Sequence, residues 1–427
     1  MRDERTDPVV AEMQGLEGAF SFPERLLQKV WLRGDFSRAA AVLRDGRRLR
    51  VLYPGKWNPL GGPDFTGARL RLGEVGEGEV TGDVEVHLHA GDWDAHRHAQ
   101  DPAYEGVVLH VVLFPPEAAH VTRGAGGREI PVLVLLPLLH HSLEELAADE
   151  AVEKLADRAW SRLPDELGAR PAGEIAGLLR RQAEVRWRQK VGFARRRVER
   201  LGWEAACHHA ALEILGYRFN RAPMLRLAGE YPLAEWVAGR VNPDTLYEGE
   251  RASWSVQGVR PANQPRTRLR QYAGWVQARP DWPECARALA SALPAIAPAE
   301  ETRVVRRRHR LTERREQLAE SLCAQAVGGP RFDNLMCDGV LPLLAVETGC
   351  EVEGLWHHWF PGDLPPMLNA GLRQVGVVDG RRQPACHGIA QGLLGWLLER
   401  EAQQVAPIRT ERARRRMEAG ANLKRFP

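Results

Sequence analysis

The hydrophobic pattern divides the chain near residue 140. Before that point it shows short strand-like runs: RLRVLYP (48–54), ARLRLG (68–73), GDVEVHLH (82–89), GVVLHVVLF (106–114) and IPVLVLLPL (130–138). One helix precedes them. In SFPERLLQKVWLRG, Ser21 suits the N-cap, Pro23 the first turn and Gly34 the stop, while Leu26, Leu27, Val30 and Trp31 form an apolar stripe. GVVLHVVLF is apolar at nearly every position, as a strand covered on both faces should be. The polar stretch between Gly91 and Glu105 reads as a short helix plus loop. Helix, hairpin-like strands, helix or loop and a buried strand together predict an α/β domain over 21–140, with residues 1–20 loosely attached.

Beyond residue 140 the period becomes helical. SLEELAADEAVEKLADRAWSRL opens on a capping-box pattern, Ser142 and Glu145, and EIAGLLRRQAEVRWRQKVGFARRRVERLG follows at helical spacing. Residues 141–427 are therefore expected to be mostly α-helical, with loops at 241–267 and 359–384, the first a place where this region can divide. Chain length, 427 residues, fits two or three domains.

Charge changes this picture little, since 59 Lys and Arg face 56 Asp and Glu for a net of +3. A global argument for nucleic acid does not follow. Basic residues are nevertheless clustered: 180–200 carries nine Arg or Lys against two Glu, with Trp187 and Phe193 interleaved, and 302–315 and 409–425 repeat the theme. Arg186, Arg188, Lys190, Arg195, Arg196 and Arg197 are the candidates to track a phosphate backbone. The alternative is a solvated helix face balanced by nearby acids. No apolar run reaches the roughly 18 residues of a membrane span, and the charged MRDERTDPVV start lacks the apolar core of a secretory signal. A cytosolic protein without a membrane partner is expected, its six scattered cysteines reduced and mostly buried.

Candidate chemistry concentrates in residues 61–98. On a strand, Asp83, Glu85, His87 and His89 share one face while Val84, Val86 and Leu88 enter a core. Asp64 stands one strand earlier in Pro-Asp, behind Gly61 and Gly62, which allow a tight turn, and Glu24 lies on the preceding helix. Two carboxylates on separate rigid elements plus a backbone carbonyl are a common minimum for a hard divalent cation, and an imidazole beside them can orient or deprotonate water. Asp92, His96, His98 and Asp101 form a second cluster with His110 on the next strand, fitted to positioning or second-sphere roles or to Zn²⁺, Mn²⁺ or Fe²⁺. The structural alternatives are that Asp64 caps a turn, Glu85 pairs with Arg69 or Arg71, Trp93 packs inside and His110 is a hydrogen-bonded core histidine. Asn220 and Asn334, in GYRFNRAPMLRLA and RFDNLMCDGVLPLLA, read as caps or buried hydrogen-bonding residues.

Pro-Asp before one strand, Glu-x-His on the next and an acid on the helix before them resemble the PD-(D/E)xK nuclease superfamily. That resemblance implies a restriction-endonuclease-like mixed sheet flanked by helices. It also implies Asp64 and Glu85 as ligands of Mg²⁺ or Mn²⁺, ahead of Zn²⁺, Glu24 as accessory acid, and nucleic acid, DNA ahead of RNA, as substrate. The position of the usual lysine falls on His87. Either His87 acts as a base, or His89 or a basic residue from elsewhere substitutes, or the site does not cut. FPERLLQKVW, PGKWNPLGGPDF, GDVEVHLHAGDWDAHRHAQDPAYEGVVLHVV, LGYRFNRAPMLRLA and RFDNLMCDGVLPLLA also resemble a bacterial family, the domain of unknown function numbered 2851, across most of the chain. The expected activity is metal-dependent phosphodiester hydrolysis by Asp64, Glu85, His87 and Glu24. Two alternatives remain open: a non-catalytic nucleic-acid-binding or scaffold protein on a decayed nuclease fold, and a metallohydrolase of a small substrate using His87, His89, His96 and His98.

Overall fold

The computed structural model describes residues 22–73, 78–117, 120–156, 167, 169–257, 259–364, 366–380 and 383–400. Residues 1–20, Ser21 and the basic stretch 409–425 lie outside them. Helix α1 (Glu24–Arg33) forms on its apolar stripe: Leu26, Leu27, Val30 and Trp31 are buried, and Gly34 ends it in the left-handed conformation at φ 62°. Pro23 itself occupies the N-cap position.

Six strands follow: β1 (Leu49–Tyr53), β2 (Lys56–Trp57), β3 (Phe65–Leu72), β4 (Glu79–His87), β5 (Val107–Val112) and β6 (Val132–Val134). They form one mixed sheet in the order β1-β3-β4-β5-β6, with β2 also on β3. The pairs β1–β3, β2–β3 and β3–β4 are antiparallel, whereas β4–β5 and β5–β6 are parallel. A parallel pair needs a crossover. Between β4 and β5 it is supplied by α2 (Asp92–Ala95) and two 3₁₀ turns. Val84, Val86, Leu109 and Val111 pack with Leu27, Val30 and Trp31 in the core of this sheet. Glu85 and His87 alternate with those valines along β4. The expected strand over 130–138 is cut to three residues and continues as a 3₁₀ turn, Leu136–Leu138, where Pro137 has no N–H to give a ladder.

The remainder is mostly helical, led by α3 (Leu143–Ala156), α4 (Ala172–Leu201) and α5 (Trp203–Glu230). In the Ser142 box only one half forms: Ser142 Oγ accepts from Glu145 N at 3.3 Å, and the Glu145 carboxylate turns to His141 and Arg197 instead. The two expected loops contain helices, Pro243–Gly249 and Pro366–Gln374. The first has a local cause, since the Asn242 side chain accepts from Asp244 N and Thr245 N and Pro243 enters the first turn. Helical core and sheet core meet through charge. Lys29 pairs with Glu150 at 2.8 Å, and Arg226 donates to the carbonyls of Arg33 and Gly34 at 3.0 Å each, closing the end of α1. Among the described residues no helix is long and apolar enough to cross a membrane, and all six cysteines are free, four of them buried.

Candidate metal centre

The N-terminal site is assembled by three elements. The turn before β3 is held by Asn58, whose N–H donates to Asp64 O at 2.7 Å and whose amide donates to Gly61 O and Pro63 O, with Gly62 at φ 94°. That turn delivers Asp64 to β4. The Asp64 N–H donates to Glu85 Oε2 at 3.0 Å, and Val86 N–H donates to Asp64 Oδ2 at 3.1 Å. The two carboxylates are thereby held side by side, one on the Asp64 N–H and the other on the N–H of Val86, the residue after Glu85. Helix α1 closes the third side, where Gln28 Nε2 donates to Asp64 Oδ1 at 2.7 Å and takes the Trp57 indole N–H on its own oxygen at 3.2 Å. Glu24, one turn before Gln28, shares that helix face.

These carboxylates repel one another. Burial, then Asp64 and Asp92, push Glu24 up to about 7. Burial holds Asp64 above its ordinary range, and burial followed by Asp64 and Glu24 does the same to Glu85, which is only 5% exposed. All three are raised, and a divalent cation bound there would displace the protons that Glu24 and Glu85 retain near neutrality.

Histidines complete the group. His87 Nε2 and His98 Nε2 lie 3.3 and 3.5 Å from Glu85 Oε1, and His96 Nδ1 lies 3.3 Å from His87 Nε2. Donor atoms of His87, His96 and His98 all fall within 4.8 Å of one another. Behind them, His87 Nδ1 meets His110 Nε2 at 3.0 Å and His110 Nδ1 meets Thr122 Oγ1 at 3.0 Å. If the two Nδ1 atoms carry the protons, this chain runs from His87 through His110 to Thr122 and frees His87 Nε2 as a ligand. Burial and neighbouring imidazoles hold His87 far below its usual range, at about 2, with His98 at about 4 and His110 at about 3. All three are neutral at pH 7. His98 Nε2 has no hydrogen-bond partner among the described residues, and its ring stacks on Tyr104 at 3.8 Å.

Several expected members stand elsewhere. Asp83 accepts from Gly67 N at 3.0 Å, because the strand register shifts beside it and turns its carboxylate to the β3 backbone. His89 lies past the end of β4 and stacks on Phe114, so it does not join His87. Asp92 accepts from His89 N at 3.0 Å and holds the turn into α2, one helical turn before His96, whose N–H donates to Asp92 O at 2.9 Å; the Asp92 carboxylate is close enough to raise Glu24. Arg71 pairs with Glu79 rather than Glu85, while Trp93 is buried as expected. His110, named with the second cluster, joins the group through His87, whereas Gln28, Thr122 and Tyr104 are contributors that sequence reasoning did not name.

The basic helix face is largely committed inside the protein. Lys190 pairs with Asp338, Arg196 with Glu144, and Arg197 with Glu145 and Glu213, while Arg186 is buried; Arg188 and Arg195 are exposed. In 302–315, Arg306 donates to the carbonyls of His358, Trp359 and Ala385, and Arg315 pairs with Asp333. A second group with metal-like spacing, His141, Glu145 and Glu213, already has cations, since Arg197 lies 2.7 Å from Glu213 and Arg221 also pairs with it.

The chain thus combines an N-terminal mixed sheet with a mostly helical region behind it. Residues 24–247 match the family described as "Protein of unknown function (DUF2851)", and the chain belongs to that family. Comparison with curated proteins and with solved structures gives no match.

Proposed function

We propose that this protein is a metal-dependent phosphodiesterase acting on nucleic acid, DNA ahead of RNA, with Asp64 and Glu85 as the metal ligands and Glu24 closing the site. The observation that carries the reading is the pair of backbone bonds, Asp64 N–H to Glu85 and Val86 N–H to Asp64, that holds the two carboxyl groups side by side in a buried site. Helix, antiparallel β1–β3–β4, short helical crossover and parallel β5, with Asp64 opening β3 and Glu85 inside β4, support a restriction-endonuclease-like reading of the sheet. Free thiols fit a cytosolic setting.

A bound Mg²⁺ or Mn²⁺ supplies Lewis acidity and a water of lowered pKa. His87, held neutral by burial and the neighbouring imidazoles, would orient such a water rather than carry its proton, and it does not replace the positive charge of a lysine. Arg25 lies with its guanidinium 5.4 Å from the ring of Trp57, whose indole N–H donates to Gln28. The test is cleavage of single- and double-stranded DNA and RNA with Mn²⁺ by the full chain. Cleavage lost in Asp64→Ala supports the proposal; identical behaviour of wild type and Asp64→Ala refutes it. Salt-sensitive DNA binding indifferent to chelator and to Glu85→Ala would mark a scaffold on the same fold.

The His87, His96 and His98 cluster favours a second reading, a transition-metal hydrolase of a small substrate with Glu85 as fourth ligand. Metal analysis of protein purified without added metal separates the two: retained zinc or iron, lost in His98→Ala, selects the histidine site.

A further inference from the structure

LGYRFNRAPMLRLA and RFDNLMCDGVLPLLA have no part in the carboxylate and histidine cluster. They meet instead on the wall of a cavity of about 990 Å³, to which they contribute Tyr217, Arg221, Arg331, Asn334 and Asp338. A turn of π-helix, Leu335–Val340, places Asp338 there, a distortion often found at functional sites. Most charges on this wall are matched within the protein: Lys190 with Asp338 at 2.5 Å, Arg331 with Asp363 at 2.8 Å and Arg221 with Asp149 at 2.8 Å.

Two groups are not matched. Arg186 is 8% exposed, and its guanidinium donates only to neutral oxygens, Gln189 Oε1 at 2.9 Å and Gln391 Oε1 at 3.3 Å. Among the described residues no carboxylate lies within ion-pairing distance of it. His387 is 2% exposed, and neither ring nitrogen makes a hydrogen bond of good geometry among the described residues, the Pro361 backbone being the polar group beside it. Both line the cavity. Buried polar groups are ordinarily paired, so an orphaned imidazole beside an unpaired guanidinium points to a partner that enters from outside the fold. Gln391 uses its oxygen on Arg186, so its amide nitrogen remains a donor.

The helix over 387–400 continues the argument along its length. His387, Gln391, Leu394 and Leu397 follow at three- and four-residue spacing and all line the cavity, so polar donors give way to leucines along one face. Leu155 and Leu368 line it as well. We propose that this cavity binds a small amphipathic organic anion, its carboxylate or phosphate head held by Arg186, His387 and Gln391 and its apolar body lying along Leu394 and Leu397. Burial keeps His387 neutral at pH 7, at about 4, so it meets the head as a hydrogen-bond donor beside the cationic Arg186.

Titration calorimetry on the full chain tests this with octanoate, octyl phosphate, octanol and AMP. One of the two octyl anions binds at a single site, octanol binds about tenfold more weakly, and Arg186→Gln removes that difference. Asp64→Asn leaves every affinity unchanged, which separates this cavity from the proposed metal site. His387→Phe keeps the ring volume, removes both nitrogens and reads the same head contact if Arg186→Gln does not fold. The proposal is overturned if octanol matches the anions, if no octyl anion binds at millimolar concentration, if AMP binds more tightly than either anion, or if Arg186→Gln and His387→Phe bind as wild type does.

Discussion

Glu24→Gln is expected to stabilise the metal-free protein above neutral pH while weakening its response to divalent cations. The folded Glu24 carboxyl is pushed up to about 7 by burial and by Asp64 and Asp92, against an ordinary value of 4.5. Between those two values the unfolded chain releases a proton that the folded chain keeps, so stability falls as pH rises through the interval and the loss is complete above about 7. At 1.36 kcal/mol per pKa unit, the full shift corresponds to about 3.4 kcal/mol. Partial solvent exposure of Glu24 lowers the recoverable part to about 2 kcal/mol. Glutamine keeps an oxygen for the Leu88 N–H that the carboxylate now accepts. Urea denaturation in EDTA, followed by tryptophan fluorescence, should give equal stabilities for wild type and Glu24→Gln at pH 4.5 and a variant about 2 kcal/mol more stable at pH 8. Adding Mn²⁺ at pH 8 should reverse the order, because binding to the folded state alone stabilises by mass action. A variant less stable than wild type at pH 8 in EDTA, or one stabilised by Mn²⁺ as much as wild type, refutes the reasoning.

Gln28→Leu removes the helix contact to Asp64 Oδ1 and should lower Mn²⁺ affinity about tenfold in calorimetry, with the fold retained by circular dichroism. Thr122→Val breaks the end of the His87–His110 chain and should lower transition-metal retention by about tenfold or more, measured by elemental analysis after dialysis. His141 is raised to about 9 by Glu145, Glu213 and Asp35 despite its burial, so its contribution is full below the unfolded pKa near 6.5 and disappears as pH rises through 9. The cost of His141→Gln in urea unfolding should therefore fall from about 3 kcal/mol at pH 6 to near zero at pH 10; a cost independent of pH contradicts the cluster.

The succession of most N-terminal elements and the strand positions of Asp64 and Glu85 were legible because they rest on short-range rules, whereas the order of strands in the sheet and the short strand Lys56–Trp57 were not. Alternation in GDVEVHLH fixes which residues of β4 face the valine core, and Pro-Asp behind two glycines announces a turn that starts β3. Asp83 and His89 were misplaced for a reason that alternation cannot contain: register shifts on both sides of Asp83, and the strand ends at His87. Helix α1 offered Glu24 by charge alone, yet the residue that touches Asp64 is Gln28, which a four-residue step along the same face identifies. His110 and Thr122 meet only after the chain has crossed from β5 to the segment before β6, so no local pattern links them. The helix at Pro243–Gly249 was legible in Asn-Pro-Asp, an N-cap followed by proline in the first turn, but the cluster of turn-forming residues hid it. Arginine clustering had the reverse fault, since periodicity shows a basic face and says nothing of Glu144, Glu145, Glu213 and Asp338 arriving to pair with it.

Anomalous diffraction from crystals soaked in Mn²⁺ locates the proposed centre directly. A peak between Asp64 and Glu85, within coordination distance of both carboxylates and absent from Asp64→Asn crystals grown in the same way, is the predicted result. A soaked crystal with no peak there, or with its peak at His141, Glu145 and Glu213, would contradict the assignment.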